Sequence, residues 1–453
     1  MNVLLITVDS LRADRVNEEV MPSTRSFADD ALEFTECVAN GPSTPASFPS
    51  IHASRHFASI QGLGIPAEGG VVTLAEHLHE AGYMTSGYTD NHFASGSYHY
   101  DRGFDLIHDA SSTTEAGKLK QFVQSNLNKS GLLFKTIERV YTQADAFWTT
   151  TTGNESEYER AESLNRRALE WIDEQDDDED WFVWLHYMDV HHPYEAPDEY
   201  QRKFLNEPAN VAECRRLSRK GTHHPEDMTD EEWDTIRRLY DAECAYTDDQ
   251  IDSLLTELDE RGVRDDTVIC LTADHGELVG EHQHAGHPPE FWEGIIRVPF
   301  ILDGVGETGT VDDQIRLLDT APTLADAVGL NAPSVWQGES ALEVARGDAN
   351  AREFAFGDVG RQINYERSYV RRADGWKLIR HADDGEFLYD VQSAPAETAA
   401  DNRVGEGLTV YDELTEQLEE HQRQMAALRS GERGVDEDDE MVEEHLRDLG
   451  YIE

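Results

Sequence analysis

Two apolar runs in this sequence end in side chains that can bind a metal ion. Residues 3–8 (Val-Leu-Leu-Ile-Thr-Val) are followed at once by Asp9, and residues 267–271 (Thr-Val-Ile-Cys-Leu) lead to Asp274 and His275. Apolar runs of this length predict strands that are buried on both faces, and the carboxyl ends of parallel strands meet at one edge of a sheet. We therefore expect these three side chains to converge on one cation, although they lie far apart in the sequence.

Each of these side chains also has a simpler interpretation when it is taken alone. Asp9 could cap the helix that follows it, and His275 could be a histidine satisfied by hydrogen bonds at a strand end. The two strand ends together favour a metal site. Oxygen ligands suit Mg²⁺ or Ca²⁺, whereas the imidazole favours Mn²⁺ or Zn²⁺. The sequence favours one divalent cation over two and does not fix which of the four ions it is.

Residues 41–50 (Gly-Pro-Ser-Thr-Pro-Ala-Ser-Phe-Pro-Ser) predict a loop that opens a helix. Thr44 suits the N-cap and Pro45 the first helical position, while Pro49 predicts an irregular first turn. A hydroxyl at a helix N-terminus lies near free backbone N–H groups and the positive end of the helix dipole. That environment favours an alkoxide or the oxygens of a sulfuryl or phosphoryl group, although simple capping is the safer interpretation of an isolated Thr-Pro pair.

The elements that must position these residues alternate between strands and helices. Strands are predicted over residues 3–8, 83–88, 181–186 and 267–272, and residues 231–261 and 319–328 have apolar residues at helical spacing. Such alternation predicts an α/β fold with a mixed, mostly parallel sheet sandwiched by helices. From about residue 351 short alternating runs predict a small antiparallel sheet, followed by a terminal helical pattern over residues 408–453.

This pattern divides the chain into a catalytic domain over residues 1–350 and a C-terminal subdomain over residues 351–453. Residues 111–170 are polar and favour helices, so we expect them to form a helical insertion over the site. A frayed acidic stretch is expected at residues 436–440.

The second strong signal is a formal net charge of -54, with 7 Lys against 31 Arg and 92 acidic residues. This composition is typical of a halophilic protein with an acidic surface that works in molar salt, where screening relieves self-repulsion. A disordered acidic chain is excluded because 38% of the residues are apolar and can form a core. Nucleic acid is an unexpected partner, since no basic patch is present to bind phosphates. No leader and no apolar run of membrane-spanning length is seen, so we expect a cytoplasmic protein.

Seven stretches of the chain resemble known motifs in their known order. They are residues 2–14, 41–59, 82–105, 186–194, 274–300, 319–323 and 388–390. On these stretches the chain resembles the sulfatase family of the alkaline phosphatase superfamily, in a haloarchaeal-type form with Thr where the family has Cys. The resemblance implies an alkaline-phosphatase-like fold and a metal-dependent hydrolase.

Residue by residue, the resemblance implies a metal site of Asp9, Thr44, Asp274 and His275. The position after Asp9, often a second Asp in the family, is Ser10, so that ligand is missing. Aligning residues 51–55 with the family's Leu-Leu-Thr-Gly-Arg places Thr44 at the nucleophile. Two departures follow from the same alignment. Phe48 stands at the position of the family's Arg, and Cys37 is too far away to be the formylglycine precursor.

The resemblance also implies residues that contact the substrate. His191 matches a histidine that contacts the substrate or the leaving group, and His287 matches the residue that holds the substrate's oxyanion. Asn91 and Arg12 are candidate substrate-binding residues, although Arg12 could instead pair with Asp14. His282 and His284 lie in the same loop as His287 and could be a chance cluster.

Three functions remain open from the sequence. The first is hydrolysis of sulfate esters, of a small molecule or a glycan, by a Thr nucleophile. Thr cannot expel sulfate by elimination as formylglycine hydrate does, so a phosphodiesterase, phosphomonoesterase or phosphotransferase is the second. The third is a catalytically silent binding protein with the same fold, which the missing Arg at Phe48 would suit. The alcohol released and the oligomeric state are not predicted.

Overall fold

The four predicted strands are adjacent in the middle of one eight-stranded sheet. The computed structural model describes residues 1–60, 62–67, 70–109, 158–176, 179–360 and 366–429. The strands are β1 (Asn2–Val8), β2 (Leu32–Phe34), β3 (Cys37–Val38), β4 (Met84–Thr89), β5 (Leu106–His108), β6 (Trp181–Tyr187), β7 (Thr267–Ala273), β8 (Leu278–Val279), β9 (Ala285–Gly286), β10 (Arg297–Val298), β11 (Phe300–Asp303), β12 (Gly309–Val311), β13 (Ile315–Arg316), β14 (Phe354–Val359), β15 (Arg367–Arg372), β16 (Trp376–His381) and β17 (Gly385–Asp390).

The α-helices lie between these strands and after them. They are α1 (Pro22–Asp30), α2 (Thr44–Ala53), α3 (Leu74–Glu80), α4 (Ala161–Ile172), α5 (Asp198–Phe204), α6 (Val211–His223), α7 (Asp230–Arg261), α8 (Glu293–Ile296), α9 (Thr320–Ala327), α10 (Ala341–Ala345) and α11 (Thr409–Leu428). Of the expected insertion, α4 is described, whereas residues 110–157 lie outside the described residues, as do the tail residues 430–453 with the expected acidic stretch.

The central sheet has the strand order β12-β2-β11-β7-β1-β6-β4-β5. Strand β1 runs parallel to β6 and β7, whereas β11 is antiparallel to β7, so the sheet is mixed and mostly parallel as predicted. Val8 pairs with Tyr187 on one side and with Ala273 on the other. Because the three strands end level, the residues after them share one edge of the sheet.

Every residue of β1, β6 and β7 is buried, which explains why their sequences are continuous apolar runs rather than alternating ones. The predicted long helix is α7, and its start is fixed by a capping box between Thr229 and Glu232. It ends at Gly262, whose φ of 71° few other residues adopt without strain. Its apolar positions face the core, as their helical spacing predicts.

The C-terminal strands β14 to β17 form a separate four-stranded antiparallel sheet, as predicted. Helix α11 covers one face of it, and its buried residues recur at helical spacing: Val410, Leu414, Leu418, His421 and Met425. Val370, Leu378 and Leu388 pack against the first three of these. The terminal helix is therefore held on the sheet by an apolar stripe in which His421 is a polar member.

No helix among the described residues is long and apolar enough to cross a membrane. All four cysteines are free and buried.

The charge of -54 predicts a steep dependence of stability on salt. The thermal unfolding midpoint is expected to rise strongly between ~0.1 and ~3 M KCl, because the Debye length falls to about 3 Å at ~1 M and self-repulsion is screened. Differential scanning calorimetry measures this directly. A titration with sucrose is the control, since an osmolyte that is excluded from the protein surface stabilises the folded state without screening charge. Equal responses to KCl and sucrose, or a flat KCl profile, would contradict the halophilic interpretation.

Candidate active site at the carboxyl edge of the sheet

The ends of four neighbouring strands bring polar side chains to one edge of the sheet. Asp9 follows β1, Asp274 follows β7, His186 is the second-last residue of β6, and Asn91 comes just after β4. All four are buried. Because parallel strands place their carboxyl ends together, the convergence of Asp9 and Asp274 follows directly from the strand register.

Thr44 reaches this edge from the first turn of α2. The N-cap is Ser43, whose side chain makes no capping hydrogen bond, and Thr44 is the first helical residue. The prediction that Thr44 is the N-cap is therefore wrong by one position. The approach of the loop is tight, since a Cβ on Gly41 would lie 2.4 Å from Ala46 Cβ. Because its hydroxyl is not used for capping, Thr44 can serve the site.

The Thr44 hydroxyl is held by two hydrogen bonds. Thr44 Oγ1 donates to Asp9 Oδ2 at 3.2 Å and accepts from Asn91 Nδ2 at 3.2 Å. Asn91 Nδ2 also donates to Asp9 Oδ2 at 2.9 Å, while its Oδ1 accepts from the backbone N–H of Phe93. The cap bond to Phe93 fixes which way the amide points. The hydroxyl is therefore oriented between an acceptor and a donor, as a nucleophile needs to be.

Asp9, Asp274 and His275 form a buried group whose ligand atoms lie within 4.8 Å of one another. His275 Nδ1–H donates to Gly276 O at 2.9 Å, which leaves Nε2 of the neutral ring as an acceptor. That nitrogen is 3.5 Å from Asp274 Oδ2 and 3.7 Å from Asp9 Oδ1. His275 Nε2 and Asp274 Oδ2 are both buried without a hydrogen-bond partner. Facing acceptors with no donor between them are costly, and a divalent cation fits this donor set.

The pKa values of the group also favour a positive charge at its centre. Burial, followed by the charge of Asp9, raises the pKa of Asp274 to about 6. Burial opposes ionisation of Asp9 too, but nearby His191, His186 and His275 hold its pKa well below the usual value. Burial lowers the pKa of His275, but Asp274 and Asp9 outweigh it and the net shift is upward. The carboxylates thus attract a cation, whether a proton or a metal ion.

Ser10 occupies the position of the second aspartate and supports Asp9 instead. Its Oγ donates to Asp9 Oδ1 at 3.0 Å, and its N–H donates to Asp274 Oδ1 at 3.3 Å. Its φ of 63° lies in the left-handed region, and Tyr240 anchors the turn by donating to Ser10 O at 2.8 Å. The strained turn therefore aligns both carboxylates.

A group of three imidazoles lies beside the first group: His191, His192 and His287 offer ligand atoms within 4.8 Å of one another. The rings of His287 and His275 have centroids 4.3 Å apart, so the two groups are adjacent. Burial, and then the neighbouring imidazoles, lower the pKa of His191 to about 3 and that of His287 to about 4. Both are neutral near pH 7. The structure thus brings together Thr44, Asn91, His191, His287 and the three metal-ligand candidates.

The sequence alone predicts no role for two residues that lie at this site, His186 and Glu277. His186 Nε2 lies 3.4 Å from Asp9 Oδ2, and its Nδ1 is 2.9 Å from Thr7 Oγ1. The sequence signal that could have indicated this role is a histidine near the end of an otherwise apolar, buried strand.

Glu277 is the second such residue. It is fully buried, and its carboxylate lies 3.2 Å from His287 Nδ1 and 3.7 Å from His192 Nδ1. Burial raises its pKa, but the two imidazoles outweigh burial and keep Glu277 ionised. A carboxylate behind two imidazoles orients their rings. Its place in the motif at residues 272–277 was the available signal.

Arg12 pairs with Asp14, as its alternative interpretation predicted. Arg12 Nη2 lies 2.8 Å from Asp14 Oδ2, and Nη1 lies 2.7 Å from Glu281 Oε1 and donates to Glu277 O at 3.1 Å. These contacts tie the Asp9 turn to the loop after β7. Its role in substrate binding stays a prediction.

The sequence departs from the family pattern at Phe48 and at Cys37, and the structure shows both side chains buried. Phe48 is buried in an aromatic cluster, with its ring 4.8 Å from His186 and 5.8 Å from Trp184. Cys37 lies in β3, paired with Val298, and burial raises the pKa of its thiol well above the usual value. A buried, protonated thiol is unreactive. Of Thr44 and Cys37, Thr44 is therefore the candidate nucleophile.

Comparison with known families gives two matches that together cover most of the chain. The sulfatase family matches residues 1–330, and the C-terminal part of N-sulphoglucosamine sulphohydrolase matches residues 288–424. Among characterised proteins, the choline-sulfatase of Rhizobium meliloti (strain 1021) is 25% identical over 435 residues, which cover 87% of this chain and 81% of the relative.

Solved structures share the fold at lower identity. BT4656, solved in complex with its substrate D-glucosamine-2-N,6-O-disulfate, has a TM-score of 0.70 at 17% identity and covers 97% of this chain and 99% of its own. The phosphonate monoester hydrolase of Agrobacterium radiobacter has a TM-score of 0.67 at 19% identity, covering 94% and 95%. These structural similarities show that this chain shares the fold of both proteins.

Proposed function

Because this chain belongs to the sulfatase family and is a hydrolase of sulfuric or phosphoric esters, we propose that it hydrolyses sulfate esters with Thr44 as the nucleophile. The observation that carries the proposal is the position of Thr44 Oγ1, 3.2 Å from both Asp9 Oδ2 and Asn91 Nδ2, beside a buried group that fits a cation. A hydroxyl oriented in this way can attack an ester bound over the same edge of the sheet.

The reaction has two displacements. Thr44 Oγ1 attacks the sulfur, the bond from sulfur to the alcohol oxygen breaks, and a sulfate ester of Thr44 forms. The proton of the hydroxyl leaves along its hydrogen bond to Asp9 Oδ2 and is taken up by water, because the lowered pKa of Asp9 makes its carboxylate a weak base. The departing alcohol takes up a proton. Water then attacks the sulfur, releases sulfate and restores the hydroxyl. Water is required in this second step because Thr has no second hydroxyl through which sulfate could be eliminated.

Asp9, Asp274 and His275, with Thr44, are the residues that would hold one divalent cation. Such an ion supplies the positive charge that lowers the pKa of a hydroxyl and neutralises the transferred group. The unpartnered Asp274 Oδ2 and His275 Nε2 are the observation that fits it. We propose Ca²⁺, Mg²⁺, Mn²⁺ or Zn²⁺ as candidates.

His191 and His287 act on the substrate side in this proposal. His191 contacts the leaving group, and His287 holds an oxygen of the transferred group. Both are neutral in the free protein because burial lowers their pKa values. An arriving anion raises the pKa of a nearby imidazole. Protonation of these two rings would therefore accompany substrate binding and provide the acid that the alcohol needs.

A phosphate or phosphonate ester is the second candidate substrate. Two observations favour it: a Thr nucleophile leaves an ester that only water can cleave, and a phosphonate monoester hydrolase shares this fold. The same oriented hydroxyl would then attack phosphorus. Choline sulfate and sulfated sugars are the classes suggested by the relatives, as substrates of those proteins.

One preparation assayed with three substrates tests the proposal. An aryl sulfate, an aryl phosphate and an aryl phosphodiester are compared in molar KCl with each of the four cations. Thr44→Ala, purified identically, sets the background, and Ser47→Ala is the matched control because that hydroxyl donates to Gly41 O instead. Faster sulfate cleavage is expected. Faster cleavage of a phosphorus ester would replace the sulfate proposal with the second candidate, and no turnover above background would indicate a binding protein.

A further inference from the structure

A second buried cluster of potential metal ligands lies outside the candidate active site, under the terminal helix. His56 comes just after α2, Asp358 belongs to β14, and His421 belongs to α11. One ligand atom from each lies within 4.8 Å of the others, and all three residues are buried. None of them takes part in the chemistry proposed for Thr44.

The polar atoms of this cluster lack hydrogen-bond partners. Both carboxylate oxygens of Asp358, His56 Nδ1 and His421 Nε2 are buried without a partner in good hydrogen-bond geometry, although the Ala58 amide lies close enough to Asp358 to affect its pKa. Buried polar atoms are nearly always satisfied, and an unpaired buried carboxylate is especially costly. Three such residues meeting at one point indicate a ligand that accepts electron pairs from all of them.

Arg429 is the nearby positive charge, and it acts on Asp358. Its Nε donates to Ala58 O at 2.5 Å. Burial raises the pKa of Asp358 to about 7, although Arg429 and the Ala58 amide act in the opposite direction. Burial therefore outweighs the charge of Arg429 at this carboxyl group, since the net shift is upward.

The two imidazoles are held in the form that binds metals. Burial lowers the pKa of His421 to about 4 and that of His56 well below its usual value, so both rings are neutral near pH 7. The His421 ring stacks on Phe356 with centroids 4.3 Å apart, and the His56 ring lies 4.6 Å away on another side. The packing therefore fixes His421 without using its nitrogens.

We propose that His56, Asp358 and His421 bind a divalent transition-metal ion and that Zn²⁺ fits this set best. Two imidazoles and one carboxylate suit Zn²⁺, whereas Ca²⁺ and Mg²⁺ prefer oxygen ligands alone. Ligand atoms of a tetrahedral site with bonds of about 2.0–2.1 Å are roughly 3.3 Å apart, so small side-chain rotations bring these three into place.

A cavity of about 620 Å³ borders the cluster and is lined by Asp358 and His421 among others. It gives access to solvent, and a water molecule from it would complete the fourth coordination position. Because the three ligands come from the segment after α2, from β14 and from α11, a bound ion would join the terminal helix to the body of the protein. An ion that binds only the folded chain stabilises it.

Metal content and thermal stability test this site, with Zn²⁺ alone as the probe. The chelator-treated protein is dialysed against Zn²⁺, and bound metal is counted by mass spectrometry for wild type, Asp358→Asn and His421→Gln. The matched control is His77→Gln, since His77 Nε2 is likewise buried and unpaired but lies away from the cluster. Wild type and His77→Gln are expected to bind one more Zn²⁺ per chain than the two cluster variants. The rise in unfolding midpoint on adding Zn²⁺ should be lost only in the cluster variants.

X-ray absorption on the folded Asp274→Asn chain keeps the proposal testable if the cluster variants do not fold. That chain lacks a ligand of the candidate active site, so its remaining zinc should show two imidazole ligands and one carboxylate. Equal zinc content in wild type and cluster variants, no zinc in the Asp274→Asn chain, or a coordination shell without imidazole would overturn the proposal. None of these experiments measures ester turnover. A negative result for the zinc site would therefore be distinguishable from a negative result for the proposed ester hydrolysis.

Discussion

Replacing Thr44 by Ala is expected to lower turnover of the preferred ester by on the order of 10⁴-fold or more, because the attacking oxygen is removed. The reason lies in the geometry: Thr44 Oγ1 is the hydroxyl that Asp9 and Asn91 hold between them. Steady-state kinetics at saturating substrate measure the loss.

Three controls separate chemistry from folding in this experiment. Thr44→Ser keeps a hydroxyl and should retain measurable turnover. Ser47→Ala and Cys37→Ser should change turnover little, because Ser47 bonds to the Gly41 carbonyl and Cys37 is a buried thiol. Thr44→Ala should still bind the cation through Asp9, Asp274 and His275. Full activity of Thr44→Ala would end the claim of covalent catalysis.

Removal of divalent cations should abolish turnover, and the metal affinity should fall as the pH is lowered. Asp274 must be ionised to bind a cation, and its pKa is raised to about 6. Below that value a proton competes with the ion, so the apparent dissociation constant is expected to rise up to about tenfold per pH unit. Above it no proton needs to be displaced, and affinity should level off.

A competing chelator titrated from pH ~8 to ~5 measures this affinity. Asp274→Asn is the control, since it cannot be protonated in the same way and should bind weakly at every pH. Turnover after chelation should return when the cation is added back. A chelated preparation that contains no metal and retains full activity would contradict the metal dependence of the proposal.

Much of the fold was predictable because its signals are local. The buried strands have continuous apolar sequences, α7 has apolar residues at helical spacing, and the short runs after residue 351 form antiparallel strands. Level strand ends then made the meeting of Asp9 and Asp274 predictable, since neighbouring parallel strands deliver their next residues to the same edge.

The unpredicted features depend on contacts between distant segments. His186 and Glu277 gain roles only from what stands opposite them, Asp9 in one case and His287 in the other. The cluster of His56 with residues of β14 and α11 joins parts of the chain that no periodicity relates. The helix start was missed by one residue because Ser and Thr are both favoured N-caps, and in the fold Ser43 takes the N-cap position while the Thr44 hydroxyl contacts Asp9.

The most direct test of the central claim is the identity of the covalent intermediate. The protein is mixed with an aryl sulfate, quenched in acid during the first turnover and digested, and the peptides are measured at a mass accuracy that separates sulfo from phospho groups. A sulfo group is expected on Thr44, and none in Thr44→Ala. A sulfo group on Ser43 or Ser47, or an initial burst of released alcohol without any modified peptide, would contradict it.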